Sequence, residues 1–118
     1  LMLIYPVVMP VDETESMMRY ESTPMWSSRN NRWMVKNYLN GQPIPAYGVS
    51  GIGRAYVETA EYDPLHDEGI AIAEELRESG VSVTLSETRG TVHGYDFLWR
   101  KPYAQKMLDR RIEWLTDC

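Results

Sequence analysis

The sequence predicts an α/β fold: three parallel strands with flanking helices. Three observations carry the prediction. Residues 1–8 (LMLIYPVV) form a continuous apolar run, the pattern of a strand buried on both faces of a parallel sheet. Strand-like and helix-like stretches then follow in the order β–(α)–β–α–β–α, which argues for right-handed crossovers within one sheet. Finally, Asp63 and His93 fall just after the second and third predicted strands. Those are the carboxyl ends, where the chemistry of such sheets collects.

The first run is punctuated by Pro6 and Pro10. Residues 12–28 are polar and Met-rich, with Pro24, and read as loop plus short helix. Trp33, Met34, Tyr38 and Leu39 stand at helical spacing in residues 31–39, and Asn40-Gly41 supplies a stop. Residues 42–53 hold Pro43, Pro45, Gly48, Gly51 and Gly53, a loop. Residues 54–60 are rich in β-formers and predict the second strand, with Asp63-Pro64-Leu65 as the turn after it. Residues 67–79 read as an amphipathic helix, apolar at Ile72, Ala73 and Leu76, acidic at its start and followed by Gly80 at C′. Residues 81–87 predict the third strand, with Val81, Val83 and Leu85 on one face. Residues 90–98 read as a loop holding His93. Residues 102–116 predict the last helix, with Pro102 near N1 and a stripe of Tyr103, Met107, Leu108, Arg111, Ile112 and Leu115.

Composition narrows the function classes. With 43% hydrophobic and 25% charged residues in 118, the chain is globular and sized for one small domain. A net charge of −5 with no basic patch speaks against nucleic acid as a partner. The opening run is too short to span a bilayer, and it lacks the basic n-region and cleavage site of a signal peptide. A buried strand is expected there, and no membrane partner. Cys118 has no second cysteine to pair with, which fits a reducing compartment, most simply the cytoplasm. The chain opens inside an apolar run without an initiating Met, as a piece of a longer protein would.

A carboxylate after one strand and a histidine after the next form the acid–base half of a nucleophilic triad. The Asp accepts from one imidazole nitrogen and fixes the tautomer. The other nitrogen is left to take a proton from a serine hydroxyl. On the residues alone, a hydrogen-bonded loop histidine is the simpler account of His93. Ser50, within Gly48-Val49-Ser50-Gly51-Ile52-Gly53, imitates a nucleophile elbow, but it precedes a strand rather than following one. It reads as a loop residue. His66 stands between Asp63 and Asp67 without further ligands at suitable spacing, so a helix-start histidine is expected rather than a metal site.

The stretch from Thr59 to Gly69, TAEYDPLHDEG, closely resembles the acidic-residue motif of the hormone-sensitive-lipase-like esterases. Gly90-Thr91-Val92-His93-Gly94-Tyr95 resembles that family's histidine motif. Leu3-Ile4-Tyr5-Pro6-Val7-Val8 resembles the strand after its nucleophile helix, and Gly80-Val81-Ser82-Val83 the entry to its last strand. The resemblance runs over nearly the whole chain. It implies the C-terminal part of an α/β-hydrolase, with Asp63 as triad acid and His93 as general base. Asp67 and Glu68 are then helix-capping residues. Residues 10–50 become cap or pocket wall, and residues 54–118 the acid- and histidine-bearing β-α-β-α unit. Met17, Met18, Met25, Trp26, Trp33 and Met34 are candidate pocket lining, with ordinary core packing as the equal alternative.

Two departures matter. The chain contains neither a His-Gly-Gly-Gly oxyanion loop nor a Gly-Asp-Ser-Ala-Gly elbow, and Gly53-Arg54 stands where the family carries Pro-Pro. Three function classes therefore stay open. One is a carboxylesterase fragment acting on short acyl esters, with no metal or organic cofactor. Another is a non-catalytic module or pseudoenzyme that self-associates. The last is a half-site completed in trans by a serine-bearing chain. The partners expected are a small acyl ester and either a second copy, paired antiparallel along residues 1–8, or a missing N-terminal half.

Overall fold

The computed structural model describes residues 1–8, 13–40, 42 and 48–117. The elements are β1 (Met2–Ile4), α1 (Glu15–Arg19), α2 (Ser28–Tyr38), β2 (Arg54–Tyr62), α3 (His66–Glu78), β3 (Ser82–Val92), a 3-10 turn (Tyr95–Leu98) and α4 (Pro102–Thr116). The strands lie side by side in the order β1-β2-β3, and both pairs are parallel. The predicted sheet is thus the observed one. Pro10, Gly41, Pro43, Pro45 and Cys118 lie outside the described residues.

β2 is the central strand, and residues 55–60 are buried throughout. One face carries Ala55 and Val57 against Ile72, Ala73 and Leu76 of α3, with Val81 beside them. The other gathers Tyr5, Ala60 and Tyr95 with Ala104 and Met107 of α4. A strand covered on both faces needs apolar residues at successive positions, which is why its pattern is a run and not a clean alternation.

α3 approaches β2 unusually closely at Gly69. A Cβ there would lie 2.5 Å from Thr59 Cγ2. Thr59 is itself buried and β-branched, so it has little room to turn aside. Gly69→Ala is expected to destabilise the chain by about 1–3 kcal/mol through overpacking. A urea midpoint equal to or above that of the unsubstituted chain would refute the close approach.

The element ends depart from expectation for identifiable reasons. β1 stops at Ile4 instead of running to residue 8. Tyr5 has φ 49°, though its N–H still reaches Glu58 O at 3.0 Å, and Pro6 then has no N–H to give. The Val8 N–H goes instead to Glu68 Oε2 at 3.0 Å. β3 runs past residue 87 to Val92, through a register shift opposite Ala60 and Tyr62 and a left-handed Gly90 at φ 68°. The first part of the expected 90–98 loop is therefore strand. α2 begins three residues early because the Ser27 hydroxyl accepts the Asn30 N–H at 3.2 Å, an N-cap.

α4 has the expected bounds, and Met107 and Arg111 of its expected stripe are buried, but the rest of that stripe is not. Ala104, Met107 and Arg111 are buried, whereas Ile112 and Leu115 are 58% and 54% exposed. A charged residue occupies the inward position because a buried carboxylate meets it there. Hydrophobicity alone therefore makes the stripe too broad, drawing in Ile112 and Leu115.

Candidate active site

Asp63 is the first residue after β2, and its carboxylate is buried. Oδ1 accepts the Leu65 N–H at 2.9 Å, and the backbone carbonyl accepts the His66 N–H at 3.0 Å. These bonds close the Asp63-Pro64-Leu65 turn and launch α3. The second oxygen, Oδ2, lies 2.8 Å from His93 Nδ1. His93 is the first residue after β3, so parallel pairing of β2 and β3 brings both residues to the same sheet edge. A carboxylate facing Nδ1 holds the ring proton there and leaves the Nε2 lone pair free to accept another.

Aromatic rings hold the imidazole in place. The Tyr5 ring centroid is 4.9 Å from that of His93, and the Trp26 ring stacks at 5.7 Å with 30° between planes. Tyr5 in turn meets Tyr95 edge-on at 5.9 Å. Gly94, at φ 68°, turns the chain from His93 into the 3-10 turn, where the Phe97 N–H reaches its carbonyl at 2.9 Å. A Cβ at Gly94 would sit 3.6 Å from Met25 Cε.

The candidate lining divides. Trp26 and Met25 reach the histidine turn. Met17 is a fully buried core residue, Met34 is half-buried, and Met18 and Trp33 are exposed.

Asp67 and Glu68 stand in the first turn of their own helix, as expected, but the N-cap position is Leu65, which makes no side-chain hydrogen bond. Asp67 Oδ2 instead accepts the Ser16 N–H at 2.8 Å, an orphan donor in the first turn of α1, while Ser16 Oγ donates to Pro64 O at 2.8 Å. The acidic residue thus caps a neighbouring helix and docks it against the Asp63 turn. Burial pushes the Asp67 carboxyl pKa up, but hydrogen bonds from His66 and Ser16 outweigh it and hold the group below its ordinary value. Glu68 is buried and holds Val8, as above.

His66 is the first residue of α3, as expected. Its Nδ1 lies 2.9 Å from Asp67 Oδ1 and its Nε2 3.5 Å from Glu87 Oε2. Among the described residues no three His, Cys, Asp or Glu side chains converge to hold a metal ion. Ser50 is exposed, in the turn before β2, at the opposite end of that strand from Asp63. A groove of about 930 Å³ runs along β3 and the end of α4, past Thr84, Arg110 and Trp114, and neither Asp63 nor His93 lines it. The Asp63–His93 pair therefore sits at the sheet edge and outside that groove.

A family profile described as the α/β hydrolase fold matches residues 1–97. The chain belongs to the α/β-hydrolase family. Within it, the chain is 31% identical over 102 residues to an ethyl acetate hydrolase of Pseudomonas putida, a match covering 79% of this chain and 32% of that protein. It is 51% identical over 47 residues to a carboxylesterase of Mycobacterium tuberculosis, covering 40% of this chain and 15% of that one. Among solved structures, a bacterial heroin esterase superposes with a TM-score of 0.82 at 29% identity, over 92% of this chain and 39% of that one. The chain thus spans about a third of the length of the ethyl acetate hydrolase and of the heroin esterase that it matches. Among the described residues no helix is long and apolar enough to cross a membrane.

Sequence reasoning passed over Tyr5, Tyr95 and the buried pair Glu58–Arg111. Two signals were present. Glu58 is a charge within a β-rich run, and Arg111 stands within the helix stripe. A charge in such a position needs a partner of opposite sign.

Proposed function

We propose that this chain supplies the Asp and the His of a Ser-Asp-His triad in a carboxylic ester hydrolase, Asp63 as the acid and His93 as the general base. The observation that carries this reading is the 2.8 Å contact between Asp63 Oδ2 and His93 Nδ1, with Oδ1 already engaged by Leu65. Esterases among the relatives support the substrate class. His93 Nε2 takes the proton of a serine hydroxyl as its oxygen attacks the ester carbonyl. The imidazolium then returns that proton to the departing alcohol, leaving an acyl-enzyme. Water, deprotonated by His93, releases the carboxylic acid. No step calls for a metal or an organic cofactor, and a short acyl ester in the cytoplasm is the proposed setting.

The serine and the oxyanion donors come from another segment, because the chain contains neither motif. Among the described residues β1 pairs with β2 alone, so its second edge is the proposed seat for a strand of that segment. The purified chain alone is expected to show no turnover of p-nitrophenyl acetate and no labelling by a fluorophosphonate. A chimaera in which this chain replaces the corresponding third of the Pseudomonas putida hydrolase is expected to show both. Stoichiometric labelling of the isolated chain at Ser50, or at any other serine, would overturn the division of labour.

The same edge supports a second reading, in which a further copy of the chain occupies it. Antiparallel pairing of two β1 strands would make an isologous dimer. Light scattering on the isolated chain is expected to report a dimer. A monomer would remove that reading and leave the edge to the nucleophile segment.

A further inference from the structure

We propose that Glu58 is a positioning residue for His93, acting through Arg111, Tyr95 and Asp96. The inference rests on the dyad proposed above, since His93 needs a fixed orientation only if Nδ1 belongs on Asp63. Glu58 lies in the middle of β2 with its side chain wholly buried. Its carboxylate is saturated by four hydrogen bonds. Oε1 accepts from Arg111 Nη2 at 2.5 Å and from the Tyr95 hydroxyl at 2.8 Å. Oε2 accepts from Arg111 Nε at 3.2 Å and from the Tyr56 hydroxyl at 2.8 Å. Arg111 then spends its remaining nitrogen, Nη1, on Asp96 Oδ2 at 2.6 Å.

The significance lies in where these bonds land. Tyr95 and Asp96 are the second and third residues after His93. Between them and the histidine is Gly94, which has no side chain to restrain the turn. The path of the chain leaving His93 is therefore set by what holds its next two residues. Tyr95 is tied to β2, the strand that leads directly into Asp63. Asp96 is tied through Arg111 to α4 and back to the same carboxylate. Tyr5 fills the space between, touching both the His93 and Tyr95 rings. Asp63 and the His93 turn thus share one anchor.

Stability alone gives a weak reason for placing ions here. A buried ion pair is often no more stabilising than apolar residues of the same volume. Directed hydrogen bonds impose one arrangement where apolar packing tolerates several. A general base loses efficiency when its supporting contacts allow displacements of even about 1 Å. Burial lowers the Arg111 pKa, but its bonds to Glu58 and Asp96 outweigh that and raise it above the ordinary value, so the anchor stays charged.

The test follows the proton on His93 Nδ1 by NMR in the isolated chain, whose two histidines are His66 and His93. His66→Gln leaves one imidazole to observe. The background chain is expected to show a downfield Nδ1–H resonance that exchanges slowly with water. The paired replacement Glu58→Leu/Arg111→Met is expected to stay folded, with a urea midpoint above that of Glu58→Ala, while that exchange quickens about tenfold. Tyr95→Phe and Asp96→Asn each cut one link with little change of shape, and each is expected to quicken it roughly threefold. These two decide the matter if the paired replacement fails to fold. Unchanged exchange in the folded variants would overturn the positioning role and leave the network as core packing. Absence of an Nδ1 proton in the background chain would instead overturn the dyad, and the positioning role with it.

Discussion

Asp63→Asn, made in the chimaera that carries a serine, is expected to lower kcat about 10⁴-fold with little change in KM. The geometry of the turn explains why so small a change costs so much. Oδ1 of Asp63 accepts the Leu65 N–H at 2.9 Å, a backbone donor that cannot be re-aimed without opening the turn. In the Asn variant the amide oxygen must keep that bond, so the NH2 group takes the place of Oδ2 opposite His93 Nδ1. An amide donor in that position requires Nδ1 to accept. The ring proton then moves to Nε2, the nitrogen that has to accept from serine. A loss of that size is about 5.5 kcal/mol of transition-state stabilisation. Substrate binding depends on surfaces the substitution leaves alone, hence the steady KM. Steady-state kinetics with p-nitrophenyl acetate check the split. A fall of less than about tenfold would mean that Asp63 does not set the tautomer.

The sheet and the Asp63–His93 contact were legible in the sequence because each rests on local signals. An apolar run, a turn of Asp63-Pro64-Leu65 and a histidine before Gly94 need no knowledge of distant residues. Parallel order then follows from the alternation of strands and helices, and it places Asp63 beside His93 without further assumption. The features that escaped are those whose reason lies elsewhere in the chain. β1 is short because Tyr5 turns left-handed and Pro6 offers no donor. β3 is long because β2 continues to Tyr62 and keeps a partner opposite Val92. Arg111 stands on the expected stripe of α4, but its partner is Glu58 on β2, 53 positions away, and Ile112 and Leu115 are left exposed. Asp67 caps α1 rather than its own helix, across 51 positions. Periodicity reports what a helix or strand would do by itself. It is silent about a charge that becomes acceptable only when its partner arrives.

Glu58→Ala is expected to destabilise the chain by about 3–5 kcal/mol, the largest stability loss of any single change considered. Three contributions point the same way. Arg111 keeps Asp96 but loses the carboxylate that meets its Nε and Nη2, and its side chain is 10% exposed, so water cannot take over. The hydroxyls of Tyr56 and Tyr95 lose their acceptor inside the core. The deleted atoms leave a void between β2 and α4. Small domains hold only about 5–15 kcal/mol in all, so roughly a fifth or more of the total is at stake. Glu58→Gln keeps the volume and one acceptor oxygen and should lose less than the alanine variant. The paired Glu58→Leu/Arg111→Met replacement removes both charges and should cost less than Glu58→Ala, because no buried charge is left unpaired and only the Tyr56 and Tyr95 hydroxyls lose their acceptor. Urea unfolding of the three variants, with unchanged slopes, tests the ordering. A cost below about 1 kcal/mol for Glu58→Ala would place Arg111 in water and dissolve the network.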